Sequence, residues 1–294
     1  MKRFSSLLLG MALTASAANA QILWKVEGNG LEKPSYIFGT HHVAPADMVQ
    51  RVNGLTQALD DVKVVYGEVN MVEMNPMEMQ QMVMPHVMAP ADSTLSVMFT
   101  PGQLDSINAV MTSYSGQPVD VRQMNMVKPV MLTTQLAVLQ SMKAFPGFDP
   151  NAQLDATIQN MAKAAGKEVG GLETFEYQLG ILYDTPLSEQ ANDLMEAIRH
   201  DSEAIEKASK LADAYSSANL EEIRTLLYDD PDMTPEKLDK LLLTRNRNWA
   251  TELPEIMASQ PVFVAVGCGH LPGSEGLIEL LRSQGYTLTP VDKQ

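Results

Sequence analysis

Apolar residues gather in short blocks near both ends of the chain and fall into helical spacing between them. Ile22-Leu23-Trp24-Lys25-Val26 reads as a short strand, followed by a turn that contains Gly28 and Gly30. Ser35-Tyr36-Ile37-Phe38 is a second strand, stopped by Gly39. Val62-Lys63-Val64-Val65-Tyr66 is a third, and it runs into Gly67-Glu68. Between the second and third, the spacing predicts a helix over residues 45–59. Strand, helix and strand in that order predict a βαβ unit whose strands form a neighbouring parallel pair.

From about residue 74 to 248 the pattern is mostly helical, punctuated by Pro and Gly. Helices are predicted over residues 101–113, 126–142, 154–165, 174–184, 188–215 and 235–259, with a short strand at residues 168–172. The end of the chain returns to strands. Residues 261–266 form a continuous apolar run, too short for a helix and suited to a buried strand. A helix over residues 276–284 stops at Gly285, and residues 286–291 alternate like a closing strand. The expected class is α/β (α+β), with a strand-rich section at each end of the chain, flanking helices and a mostly helical middle. Residues 21–294 are expected to form a single domain.

Residues 1–20 stand apart. Lys2 and Arg3 precede an apolar run over residues 7–13, and Ala18-Asn19-Ala20 supplies the small-residue cleavage pattern of a signal peptide. Gln21 rather than Cys follows, which gives no sign of a lipid anchor. No later stretch reaches the roughly twenty apolar residues of a membrane span. The expectation is an exported protein, periplasmic or secreted, without a membrane anchor after cleavage. With 36 acids against 21 bases and a formal charge of −15, a nucleic-acid partner is excluded. Cys268 is the only cysteine, so no disulfide can form within the chain.

Both strand-rich ends carry the same small device. At the front it is Gly39-Thr40-His41-His42, and at the back Gly267-Cys268-Gly269-His270. Each follows an apolar strand, and the rim of a sheet is where ligands bind in α/β folds. Glycine lets the backbone pass closely without filling the rim, and the histidine three residues on offers two nitrogens. A single Gly-x-x-His is common by chance, and a lone histidine after a strand is more often structural. Two copies at opposite ends use two of only five histidines. With Glu68 after the third strand, His42 and His270 form a candidate metal set that leaves a place for water. His41 faces the other way on an extended segment and reads as structural or supporting.

Ser35 to His42 resembles the opening signature of the TraB/GumN family, and Val266-Gly267-Cys268-Gly269-His270-Leu271-Pro272-Gly273 resembles its closing one. Gly171-Leu172-Glu173-Thr174 with Gln178, and Arg245-Asn246-Arg247-Asn248-Trp249, are similar to blocks between them. The resemblance covers essentially the whole chain after residue 20 and extends to the animal Tiki proteins. It implies a fold of two related β-sheet units, from the N- and C-terminal sections, with flanking helices, and a metalloprotease-like hydrolase with His42, Glu68 and His270 on the metal. Glu68, Glu173 and Arg245 are the catalytic candidates, Glu173 as base or orienting group and Arg245 steadying negative charge. Manganese or cobalt is the implied metal, with zinc or copper as alternatives because a thiol, Cys268, lies inside the closing motif. Relatives often carry a small inert residue there.

Other readings stay open beside this one. The same cleft could hold a metal, haem or peptide without turnover, or hydrolyse an ester of a small molecule. Arg245 could bridge surface acids, and Glu173 could lie in a surface turn. The methionine-rich segment from Met71 to Met88, with His86 in it, reads as a flexible lid ahead of a copper-capturing site. Asp229-Asp230-Pro231-Asp232 lacks EF-hand spacing and reads as a solvated turn. No Gly-x-Ser-x-Gly elbow and no His-Glu-x-x-His pair occurs in the sequence.

Overall fold

The computed structural model describes residues 21–291, so the expected leader peptide lies outside the described residues. Six strands form one sheet: β1 (Leu23–Gly28), β2 (Ser35–Thr40), β3 (Val64–Gly67), β4 (Glu168–Gly171), β5 (Val262–Gly267) and β6 (Tyr286–Pro290). Their order across the sheet is β4-β3-β5-β2-β1-β6. The pairs β4–β3, β3–β5 and β5–β2 are parallel, whereas β1 runs antiparallel to both of its neighbours. The α/β class and the helical middle are as the sequence predicts.

Two expectations are corrected. The strand-rich ends do not form two related sheet units, because β5 pairs directly with β2 and merges both ends into one sheet. For the same reason β2 and β3 are not neighbours: β5 lies between them. The cause is burial. Val262 to Val266 is apolar at every position and fully covered, so it takes the centre of the sheet and forces the first crossover to skip a place.

The tight turn between β1 and β2 needs left-handed backbone, which Gly28 (φ 83°) and Gly30 (φ 84°) supply around Asn29. The helix expected over residues 45–59 is two short ones, Met48–Arg51 and Leu55–Asp60, parted at Gly54. Residues 188–215 divide at His200 into Leu187–Arg199 and Asp201–Ser216. Two buried clusters result. One surrounds the sheet, with the helices Leu154–Ala164, Thr244–Ser259 and Leu277–Ser283 packed on it. The other joins Pro101–Ser115, Pro129–Ala144 and Leu187–Arg199 through Leu104, Leu132 and Leu194. Among the described residues no helix is long and apolar enough to cross a membrane.

One close approach in the core follows directly from the motif glycines. A Cβ on Gly39 would stand 2.8 Å from the Leu271 side chain and 3.0 Å from the Cys268 Cα. Tyr215, fully buried, donates its hydroxyl hydrogen to the Gly39 carbonyl at 3.0 Å. Gly39→Ala is therefore expected to cost about 1–3 kcal/mol through overpacking. Urea unfolding checks this, and an unchanged midpoint would contradict it.

Candidate functional site

Four parallel strands deliver their C-terminal ends to one rim of the sheet. In register, Thr40 on β2 lies opposite Gly267 on β5, and Tyr66 on β3 lies opposite Val264. His42, Glu68 and His270, each just past its strand, therefore arrive together. Gly267 is the point around which they gather. A Cβ there would lie 3.3 Å from Glu68 Oε1, 3.5 Å from His42 Nε2 and 3.6 Å from His270 Cδ2. Gly267 has an ordinary φ of −52°, so glycine serves here to leave space and not to permit a strained turn.

His42 is held by its far nitrogen. Nδ1 donates to Asp155 Oδ2 at 2.9 Å, and the other oxygen of Asp155 accepts from the Thr40 hydroxyl at 2.5 Å. A carboxylate can only accept, which fixes the proton on Nδ1 and turns Nε2 toward Gly267. The His42 side chain keeps 63% of its surface open to solvent. Asp155 holds the ring well above the ordinary histidine value, against desolvation by the surrounding protein and repulsion from Arg245.

His270 is held the same way by a different group. Its Nε2 receives a hydrogen bond from Arg245 Nη1 at 3.1 Å, so Nδ1 carries the proton and donates to Asn246 Oδ1 at 2.6 Å. The Asn246 amide is itself oriented, because its Nδ2 donates to the Glu275 carbonyl at 2.8 Å. Buried and packed against the Trp249 ring, His270 stays neutral, pushed down to about 3 by desolvation.

Arg245 ties the carboxylates together. It grips Glu173 through both oxygens, Nε to Oε2 at 3.0 Å and Nη2 to Oε1 at 2.8 Å, and Nη2 also reaches Glu68 Oε2. Glu68 Oε2 accepts further from Gln178 at 2.9 Å, and Oε1 from the Gly267 amide at 2.8 Å. The guanidinium lies 4.7 Å from the centre of the Trp249 ring and donates to the Leu241 carbonyl at 2.9 Å. That carbonyl belongs to a wide, π-helical turn (Asp239–Leu243) that leads into the Thr244–Ser259 helix. Burial opposes the charge of Glu68, but His270, Arg245, His42 and the Gly267 amide outweigh it and hold the carboxyl at about 2. Glu173 moves the other way, raised by burial against the pull of Arg245.

All five residues singled out in the sequence thus meet: His42, Glu68 and His270 around Gly267, with Arg245 and Glu173 joined to them. Neither Arg245 nor Glu173 lies on the surface. Asp155, Thr40, Asn246, Gln178 and Trp249 complete the arrangement. Thr40 lies inside the front motif, and Gln178, Asn246 and Trp249 lie in the blocks shared with the resembled family, but sequence reasoning gave none of them a role. Asp155 had no sequence signal.

The donor types fit a divalent ion: two imidazoles anchored at Nδ1 by neighbours, as metal-binding histidines are, and one carboxylate. Among the described residues no three His, Cys, Asp or Glu side chains are grouped at metal-ligating spacing. Arg245 already engages the acceptor atoms of Glu68 and His270. Cys268 lies 4% exposed in the sheet core, its thiol pushed up to about 12 by burial, and it packs against Gly39. His41 wedges between Phe145 and Tyr215, with ring centres 5.3 and 5.4 Å away, and burial lowers it to about 4.

The methionine-rich segment forms the helix Pro76–Val87, packed on the Phe175–Tyr183 helix that carries Gln178. His86 there pairs with Asp184 at 3.0 Å. In the Asp229–Asp232 turn, Asp230 pairs with Lys207 and accepts from the Asp232 amide at 2.7 Å.

The model of the TraB/PrgY/gumN family matches residues 22–290, nearly the whole chain. The chain belongs to that family. No curated protein and no solved structure matches it.

The site residues set the direction of acid sensitivity. Glu68, at about 2 when folded against 4.5 ordinarily, gives stability that is complete above 4.5 and lost as pH falls toward 2. His270, at about 3 against 6.5, makes the unfolded chain bind its proton first, so stability also falls as pH drops from 6.5 toward 3. The urea midpoint is expected to fall steadily below pH 6.5, and less between 6.5 and 4.5 in His270→Gln. Equal slopes in the two proteins would remove His270 as a source. Cys268, buried and protonated, is expected to resist iodoacetamide at pH 8 until the chain is unfolded.

Proposed function

We propose that this chain is an exported metal-dependent hydrolase that acts on peptide bonds, with the ion held by His42, Glu68 and His270. The observation that carries the reading is the matched anchoring of the two histidines. Asp155 and Asn246 each accept a hydrogen bond from an Nδ1, which leaves His42 Nε2 facing the space beside Gly267 and His270 Nε2 3.6 Å from Glu68 Oε1. A divalent ion bound there, manganese or cobalt by family likeness, would lower the pKa of a bound water toward neutrality and polarise a carbonyl.

The remaining roles belong to the chain. The open face of His42 leaves the site accessible from solvent, whereas His270 and Glu68 form its buried floor. Arg245, whose guanidinium reaches Glu68 and His270, is positioned to steady negative charge developing on a substrate oxygen. Glu173 orients Arg245 through both of its oxygens. Asp155 and Asn246 hold the histidine tautomers. Residues 1–20, with their basic, apolar and small regions, support export.

His42→Ala and His270→Ala are expected to lose manganese uptake, measured by metal analysis after dialysis, and cleavage of a peptide library. Gly267→Ala is the sharper test, because its methyl group fills the space between His42 and Glu68 at distances of 3.3–3.5 Å without a forbidden backbone angle. It should keep the melting temperature within a few degrees and lose metal and activity together. Wild-type turnover in Gly267→Ala would sink the assignment. Tight metal binding in the wild type without cleavage of any peptide would favour a binding protein.

A further inference from the structure

We propose that Arg245 is the site's own stand-in for the ion: its guanidinium and a divalent cation compete for Glu68 and His270, and the cation enters as the arginine withdraws onto Glu173. This inference rests on the reading that His42, Glu68 and His270 hold an ion.

His270 carries its proton on Nδ1, bound to Asn246, so Nε2 is its only free donor atom. That atom faces Arg245 Nη1 at 3.1 Å. One nitrogen lone pair cannot accept a hydrogen bond and bind a metal at the same time. Glu68 is less occupied: Oε2 takes hydrogen bonds from Arg245 and Gln178, whereas Oε1 takes one, from the Gly267 amide, and keeps a second lone pair. An ion bound by Glu68 and His270 together must therefore displace Arg245 from His270 Nε2.

A guanidinium and a divalent cation directed at the same buried imidazole and carboxylate would repel at close range, where little water screens them. Two carboxylates and one guanidinium leave the cluster one positive charge short of balance, which attracts a cation while the arginine resists its approach.

The arginine also has somewhere to go. Its bonds to Glu173 use Nε and Nη2, and Nη1 also holds the Leu241 carbonyl. The Trp249 ring lies beneath the guanidinium at 4.7 Å. Losing Glu68 and His270 therefore leaves Arg245 with a bidentate carboxylate, a carbonyl and an aromatic face. A small swing suffices, and the partners that receive it are already in contact.

The test is calorimetric titration of the full chain with manganese(II), compared with Arg245→Gln and with the double variant Glu173→Gln/Arg245→Gln. The double variant removes one acid and one base together, which keeps the charge of the buried cluster and guards against unfolding. Both variants are expected to bind manganese at least tenfold more tightly than the wild type. Guanidinium chloride at millimolar concentration should weaken binding in Arg245→Gln and leave the wild type unchanged. Equal or weaker binding in both variants overturns the competition while the ion-holding reading stands. Absence of binding in all three proteins overturns the ion-holding reading itself, and this inference with it.

Discussion

Thr40 and Gly267 face each other across two parallel strands drawn from opposite ends of the chain. Every site residue depends on that pairing. β2 is buried along its whole length and β5 along nearly all of it, so neither strand can be withdrawn without exposing a face of the core. A slip of one residue would also turn each side chain to the opposite face. The register that satisfies the core is thus the register that sets His42 beside Gly267. The packing of Gly39 against Cys268 and the Tyr215 bond to the Gly39 carbonyl reinforce it from the side.

Upon this frame rests a group of charges that burial alone would forbid. Glu68, Glu173 and Arg245 are all shielded from solvent, and each would be costly without the others. The bidentate grip of Glu173 on Arg245 and the Gly267 amide on Glu68 offset that cost. Such a cluster adds little net stability compared with apolar packing of the same volume. The proposed chemistry rests on this cluster, whose two carboxylates diverge, one driven down and the other up by their surroundings.

The sequence made the frame legible because strands and their stops are local. Ser35 to Gly39 and the apolar run before Gly267 announce themselves by composition, and the repeated Gly-x-x-His could be read at sight. Glu68 followed from its place after a strand. The strand order could not be read in this way. Nothing between residues 40 and 64 says that a segment two hundred residues later will insert between β2 and β3. That outcome is decided by which strand is the most apolar overall, a comparison across the whole chain. Asp155 was invisible for a related reason: an acid in the first turn of a helix looks like ordinary helix-dipole complementation. Only the meeting of that helix with the sheet rim turns it toward His42.

The two histidines illustrate how one motif yields two different groups. His42 leans on a carboxylate and keeps an open face, whereas His270 leans on an amide and lies sealed beneath Trp249. A carboxylate partner makes an imidazole more basic than an amide partner does, and exposure lets it exchange protons with water. The front motif is therefore the accessible, adaptable half of the site and the back motif its fixed floor. The difference lies outside both motifs, in Asp155 and Asn246. On the proposed reading, substrate approaches from the His42 side, since the other side is closed by the helix that carries Arg245, Asn246 and Trp249.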